Sequence, residues 1–408
     1  MLGSPGKRSR PPTPPHISRR GHTFEGSPIV AFETQRMRLE RAGKDIVNFA
    51  GGESDLPTPS AITETAVRAL REGQTRYTED AGLLELREAI SAKLSRENSL
   101  RYGPDDVLVT PGSKFAIFLA LQVICDTGDT VIIPTPFWPT YAEQVRLAGA
   151  RSQFAPTQKS NAFKLTPDDL RMIVSKGTKA LILNNPVNPT GAVYSRAELL
   201  ALAEVVLKKR LFVIVDEIYE HLLFEGPGHV SFASLGKEIA AHVITVGGFS
   251  KNYSMTGWRL GFATGPGLVI SAMKRMQSQV TSCANTAAQH AGVVALAGGP
   301  LLSLRDTLRT RRDALTAGLA AIPGLSPLQP MAGFYVFTEV TASRRGRRNS
   351  TASMSNSLAN GLLEDASVAV LPGSCFGVEG YLRLTFAPTP LPRIAEGLAR
   401  LKKYFARA

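Results

Sequence analysis

Residues His242–Phe262 read HVITVGGFSKNYSMTGWRLGF. The opening HVITVGG is apolar and β-branched, the composition of a buried strand. Ser250 and Lys251 follow, and Arg259 comes eight residues after the lysine. An ammonium just past the end of a buried strand is costly to desolvate. Such a lysine tends to lose its proton and become a nucleophile that can condense with an aldehyde. Taken alone, Lys251 reads more readily as an ordinary surface lysine, so the remaining chain has to decide.

Outward from this stretch the same strand signal recurs in DVLVT, VIIP, KALILNN and LFVIVDE. Between these runs lie KFAIFLALQVICD, TYAEQVRLAG and SRAELLALAEVVLKKR, which have helical spacing. Continuous apolar strands alternating with helices predict an α/β fold whose mostly parallel sheet is flanked by helices on both faces. SPIVAFETQRMRLERAG reads as a helix, as does GLLELREAISAKLSREN. SAITETAVRALREG is a third, with Ser60 as its N-cap and Gly73 at its end. From about residue 300 a long helix, LLSLRDTLRTRRDALTAGLAAI, precedes the strands GFYVFTEV, VAVLPG and YLRLTFA and a last helix ending near Phe405. The expected division is a basic tail (1–25), a large domain (61–299), and a smaller α+β domain formed by both chain ends (26–60 and 300–408).

The 408 residues can bury a substantial core, and 43% hydrophobic with 20% charged residues is ordinary for a globular protein. No apolar run approaches the ~20 residues of a membrane span. The N-terminus has positive charge but no apolar stretch behind it, so it does not read as a secretory signal; an organellar transit segment is a minor alternative. Cys125, Cys283 and Cys375 are far apart without CxxC spacing. That pattern argues against a disulfide scaffold or a metal site and fits a reducing cytoplasm. Of the net +13, nine charges sit in two short stretches: Lys7, Arg8, Arg10, Arg19 and Arg20, then Arg344, Arg345, Arg347 and Arg348 in TASRRGRRNSTAS. A disordered tail and a mobile basic loop explain these better than nucleic-acid recognition, since no reading motif accompanies them.

In open α/β sheets ligands meet the carboxyl ends of strands, so the polar residues there are the candidates. After DVLVT come Gly112, Ser113 and Lys114 at a helix start. That is either a phosphate-binding N-terminus or a plain turn. TPFWPTY puts Trp138 at a strand end, as a ring-stacking group or a core residue. PVNPTG holds Asn188 in a rigid turn, and Asp216 closes LFVIVD with Tyr219 three residues on. A partly buried aspartate demands a partner, either a cationic ring nitrogen or a neighbouring arginine. The short GPGLVI near Gly265 lacks full dinucleotide-binding spacing and is discounted.

Together GGESD, TRYTEDAGLLELREAI, TPGSK, PFWPTY, NNPVNPTG, DEIYEHLLFEG, FSKNYSMTGWRLGF, GFYVF and YLRLTFA resemble the class I/II, fold type I aminotransferases. They occur in the family's order from about residue 26 to 405. The resemblance implies a homodimeric enzyme that uses pyridoxal 5′-phosphate (PLP) to move an amino group from an L-amino acid to a 2-oxo acid in a ping-pong cycle. Lys251 would hold the cofactor and, once freed, remove the substrate α-proton. Asp216 would keep the pyridine nitrogen protonated, Asn188 and Tyr219 would bond the ring oxygen, and Trp138 would stack on the ring. Ser113, Lys114, Ser250 and Arg259 would form the phosphate cup, with Tyr77 reaching the phosphate of the neighbouring subunit. Arg383 would clamp the substrate carboxylate, helped by the Gly52 backbone, with Trp138 and Asn188 bordering the substrate.

Departures bear on substrate. Ser54 stands where the family often has proline, and Ile29 where some acid-preferring members carry a hydroxyl. Lys114 can be read as a distal-carboxylate group or as a surface lysine, and the RRGRR stretch has no family role. A lyase, cyclase or oxidase on the same site is the alternative chemistry. A PLP-binding regulatory module is a third, weakened by the absence of a helix-turn-helix.

Overall fold

In the computed structural model, residues 26–226, 228–341 and 353–407 are described, together with 16–18, 21, 22 and 24. The disordered tail expected at the start and the RRGRR stretch fall almost wholly outside them. The described strands are β1 (Val47–Asn48), β2 (Val107–Thr110), β3 (Thr130–Thr135), β4 (Arg151–Pro156), β5 (Thr178–Asn184), β6 (Phe212–Asp216), β7 (Val243–Gly248), β8 (Gly261–Thr264), β9 (Leu325–Pro327), β10 (Tyr335–Val340), β11 (Val368–Ala369), β12 (Leu371–Pro372) and β13 (Tyr381–Thr385). Seven form the main sheet in the order β2-β8-β7-β6-β5-β3-β4. Only β8 runs antiparallel to its neighbours.

Helices cover this sheet on both faces, which is why β2 and β7 are buried along their whole lengths. Helix Ser113–Ile124 packs Ile117, Leu119, Ala120 and Leu121 against one face. On the other, helices Leu84–Asn98, Arg196–Lys209 and Thr286–Gly298 contribute Leu86, Leu202 and Ala291. Helix Arg196–Lys209 starts with a reciprocal cap between Ser195 and Glu198, satisfying N–H groups that a helix start leaves free. The parallel register pairs Asn184 with Asp216 and Asp216 with Val246. The carboxyl ends of β5, β6 and β7 therefore lie side by side, with Lys251 three residues past the last.

The smaller α+β domain is formed by both chain ends. Its four-stranded antiparallel sheet has the order β12-β13-β10-β9, and β1 pairs with β11. Val47 and Phe49 share a core there with Leu308, Phe337, Leu362, Leu384 and Leu401. Ile218, Tyr219, Leu222 and Phe224 join the same core, so the turn after β6 plugs the main sheet into the smaller one.

Two local expectations are corrected. Ser60 does not cap its helix: it is the first helical residue of Ser60–Arg71, after Pro59, and no side-chain cap bond is made. VAVLPG is not one strand, because the chain leaves β1 at Val370 and enters the four-stranded sheet at Leu371.

Candidate active site

A cavity of about 450 Å³ opens between the two sheets at the carboxyl ends of β5–β7. Every site residue expected from the sequence lines it except Tyr77: Gly52, Ser113, Lys114, Trp138, Asn188, Asp216, Tyr219, Ser250, Lys251, Arg259 and Arg383. Tyr77 lies outside, 86% exposed.

Lys251 donates from Nζ to the Gly52 carbonyl at 2.6 Å. Burial pushes its amine down to about 8; Arg383 and Arg259 act the same way, while Glu53 and Asp216 oppose. An amine so placed is partly neutral near physiological pH. Asp216 is 4% exposed, more deeply buried than expected. One oxygen accepts from the Tyr141 hydroxyl at 2.7 Å and the other from the Ile218 amide at 3.2 Å. Burial raises its carboxyl to about 6 against those two bonds, and neither the arginine weighed as its partner nor any other cation forms an ion pair with it among the described residues.

Arg383 is 2% exposed on β13 and also has no carboxylate partner among the described residues. Its guanidinium donates to Asn188 Oδ1 at 3.2 Å and to the Ala50 carbonyl at 3.1 Å, and stacks 4.1 Å from the Tyr335 ring. Its Nε has no acceptor among the described residues. A buried guanidinium solvated by neutral acceptors keeps its charge available for an anion.

Helix Ser113–Ile124 aims its N-terminus at the cavity, flanked by Lys114 and Arg259. Neither cation has an ion-pair partner among the described residues, and burial with the Arg259 charge lowers the Lys114 pKa. Gly112 sits at φ +85°, where a Cβ would fall 2.5 Å from Arg259 Nη2. A Cβ on Gly261 would fall 2.4 Å from the Ser113 amide nitrogen. Both glycines thus permit the close packing that brings arginine and helix start together. The Ser113 hydroxyl donates to the Gly247 carbonyl at 2.8 Å. Trp138 stands edge-on to Tyr141, with the Lys114 ammonium 4.9 Å from its ring.

Sequence reasoning missed Tyr141, Tyr335 and Asn184. Tyr141 holds Asp216; the Tyr335 and Tyr219 hydroxyls share a hydrogen bond at 3.0 Å; Asn184 donates to the Asp216 carbonyl and accepts from the Asn188 amide. Tyr141 closes PFWPTY and Tyr335 sits in GFYVF, so the motif positions were visible though the partners were not. At the departure from the family's loop, the Ser54 hydroxyl accepts from the Leu56 amide at 3.1 Å, fixing by a side chain the turn that proline would stiffen. Asp55 holds the loop to Arg311 with two bonds, at 2.7 and 3.1 Å.

A buried, partly neutral lysine, a carboxylate and an arginine that form no ion pair among the described residues, and a helix start flanked by two cations converge between the sheets. The family profile "Aminotransferase class I and II" matches residues 44–401, and the chain belongs to that family. It is 38% identical to the probable aspartate/prephenate aminotransferase of Aquifex aeolicus, over 92% of this chain and 95% of the relative. It is 41% identical to the bifunctional aspartate aminotransferase and glutamate/aspartate-prephenate aminotransferase of Petunia hybrida, over 95% and 82%. The structure of aspartate aminotransferase from Thermus thermophilus with maleate superposes with a TM-score of 0.89 at 38% identity, covering 95% of this chain and 99% of that one. The chain is an enzyme that transfers amino groups between amino acids and 2-oxo acids.

Proposed function

We propose that the cavity holds pyridoxal 5′-phosphate and that Lys251 is both its attachment point and the base of the reaction. The observation that carries this reading is Asp216, a deeply buried carboxylate that forms no ion pair among the described residues and faces the same cavity as a partly neutral lysine. Bound PLP supplies an electron sink, a cationic ring that takes up the charge left when an α-proton departs.

Asp216, steadied by Tyr141 and the Ile218 amide, would pair with the ring nitrogen. Asn188 and Tyr219 would donate to the ring oxygen, with Tyr335 orienting the Tyr219 hydroxyl, and Trp138 would stack on the ring. The amides at Ser113 and Lys114, the Ser250 hydroxyl and the Arg259 fork would take the phosphate, whose charge the helix start favours. Arg383 and the Gly52 backbone hold the substrate α-carboxylate beside Trp138 and Asn188. Lys251, as a neutral amine in this cavity, would take up the substrate α-proton and give it back.

For the substrate side chain, Lys114 and Ile29 border the cavity and offer one cation beside an apolar surface. The Lys114 cation suits a dicarboxylic amino acid such as aspartate, in keeping with the names of the relatives, while Ile29 offers no bond to a distal carboxylate. We further take the enzyme to be a cytoplasmic homodimer in which exposed Tyr77 reaches the neighbour's phosphate. The domains are taken as 26–60 with 300–408, and 61–299. Single-turnover spectra of PLP-loaded protein with a panel of amino acids test the substrate reading. Loss of the visible band with release of a 2-oxo acid, fastest for aspartate or glutamate, is expected. Equal or faster reaction with uncharged side chains would remove the role given to Lys114.

A further inference from the structure

The turn after β6 has two faces. Asp216 and Tyr219 line the cavity, whereas Glu217 and Glu220 do not and are buried, at 2% and 8% exposure. None of the contacts invoked above uses these two carboxylates. Two charges carried into the interior need specific partners.

Glu220 has a closed set. Lys93, 2% exposed on helix Leu84–Asn98, places Nζ 2.5 Å from Glu220 Oε1. The same ammonium donates to Asn98 Oδ1 at 2.7 Å, and Asn98 Nδ2 donates to Glu220 Oε2 at 2.7 Å. Burial pushes the Glu220 carboxyl up, but Lys93, the neighbouring histidines and Asn98 outweigh it and hold it down to about 2. Glu217 accepts from the Phe232 amide at 3.2 Å and lies 3.2 Å from His229 Nε2. Glu217, Glu220 and His229 bring ligand atoms within 4.8 Å of one another, as a metal site would. The Lys93 ammonium already sits on Glu220, so the cation of this cluster is the chain's own.

The turn links this ring to the cavity through short covalent steps. Glu220 is adjacent to Tyr219, its amide donates to the Glu217 carbonyl at 3.0 Å, and the Ile218 amide between them holds the Asp216 carboxylate. A shift of Glu220 therefore moves both cavity-facing groups, and reacting geometry tolerates well under an ångström of error. We propose that Glu220, locked by Lys93 and Asn98, is a positioning residue that fixes the turn and keeps the Asp216 carboxylate and Tyr219 hydroxyl aimed into the cavity. This inference rests on the reading of Asp216 and Tyr219 as cofactor partners.

Glu220→Gln removes the charge facing Lys93 but keeps the shape. The ammonium retains Glu97 Oε2 at 3.6 Å as a remaining ion-pair partner. Asn98→Ala opens the same ring without changing any charge, and serves as the second variant. Two measurements apply to each: hydrogen exchange at the amides of residues 217–221 without cofactor, and the pH midpoint of the visible absorbance with PLP bound. Exchange faster by roughly tenfold, a midpoint moved by about half a unit or more, and kcat falling more than KM rises are expected. If the thermal midpoint alone drops, or exchange rises while the pH midpoint stays, Glu220 is only structural and the proposal is wrong. Wild-type protein that gains no band with PLP would instead remove the cofactor reading, and the aiming role with it.

Discussion

Asp216 ends β6 with its carboxylate against Tyr141 and the Ile218 amide, at a pKa raised by burial to about 6. A carboxyl whose folded-state pKa lies above its ordinary value stabilises the fold only while protonated. That contribution is complete below about pH 4 and lost as pH rises through about 6. In cofactor-free protein at pH 7–8, Asp216→Asn therefore stabilises by about 1–2 kcal/mol, less than the roughly 3 kcal/mol of the whole shift because the amide offers one acceptor oxygen to the two donors, Tyr141 and the Ile218 N–H, that the carboxylate accepts from. Denaturant unfolding of both proteins checks this, and the same variant should lose roughly 10²-fold or more in kcat. For Lys251 the sign is opposite: its pKa of about 8 lies below the ordinary lysine value, so the neutral amine grows as pH rises. The rate of α-proton removal should climb to about pH 8 and then level, as single-turnover rates across pH would record. Arg383→Lys loses one of two paired bonds to the substrate carboxylate, about 2 kcal/mol, and should raise KM roughly 30-fold.

Glycines set how closely the elements around the proposed phosphate cup approach. Gly261 on β8 lies under the start of helix Ser113–Ile124, with no room for a Cβ beside the Ser113 amide. Gly261→Ala should destabilise by about 2–3 kcal/mol and weaken PLP binding, because the helix start must retreat; a fluorescence titration reads the second effect. At this scale much was legible beforehand. The strand ends of LILNN, LFVIVD and HVITVGG were read from local apolar runs, and β5–β7 lie where those runs predict. Ser60 was misread because a cap depends on backbone angles at the residue before the helix, and Pro59 takes that place. Tyr141 escaped notice because its partner lies 75 residues away, and spacing along the chain carries no trace of that pairing. The Lys93–Glu220 pair was hidden for the same reason: DEIYEHL was recognised as a motif, while the helix that completes it looks ordinary on its own.

Across the whole molecule, the turn after β6 carries the main sheet into the core of the smaller domain, and the cavity lies beside that turn. Both chain ends supply the smaller core, so Gly52 and Arg383, 331 positions apart, face the same lysine. Among the described residues, no single helix is long and apolar enough to cross a membrane. Tyr77, 86% exposed beside this cavity's chain rather than in it, gives the quaternary prediction. The protein should sediment as a dimer, and Tyr77→Ala should weaken PLP binding without changing the dimer mass; unaltered affinity would remove the role given to Tyr77. The claim on which the rest depends is that Lys251 carries the cofactor. PLP-loaded protein treated with borohydride, digested and analysed by mass spectrometry tests it most directly. The account predicts one pyridoxyl-phosphate addition per chain, on Lys251, with none in Lys251→Ala; a label on another lysine, or no label, would contradict it.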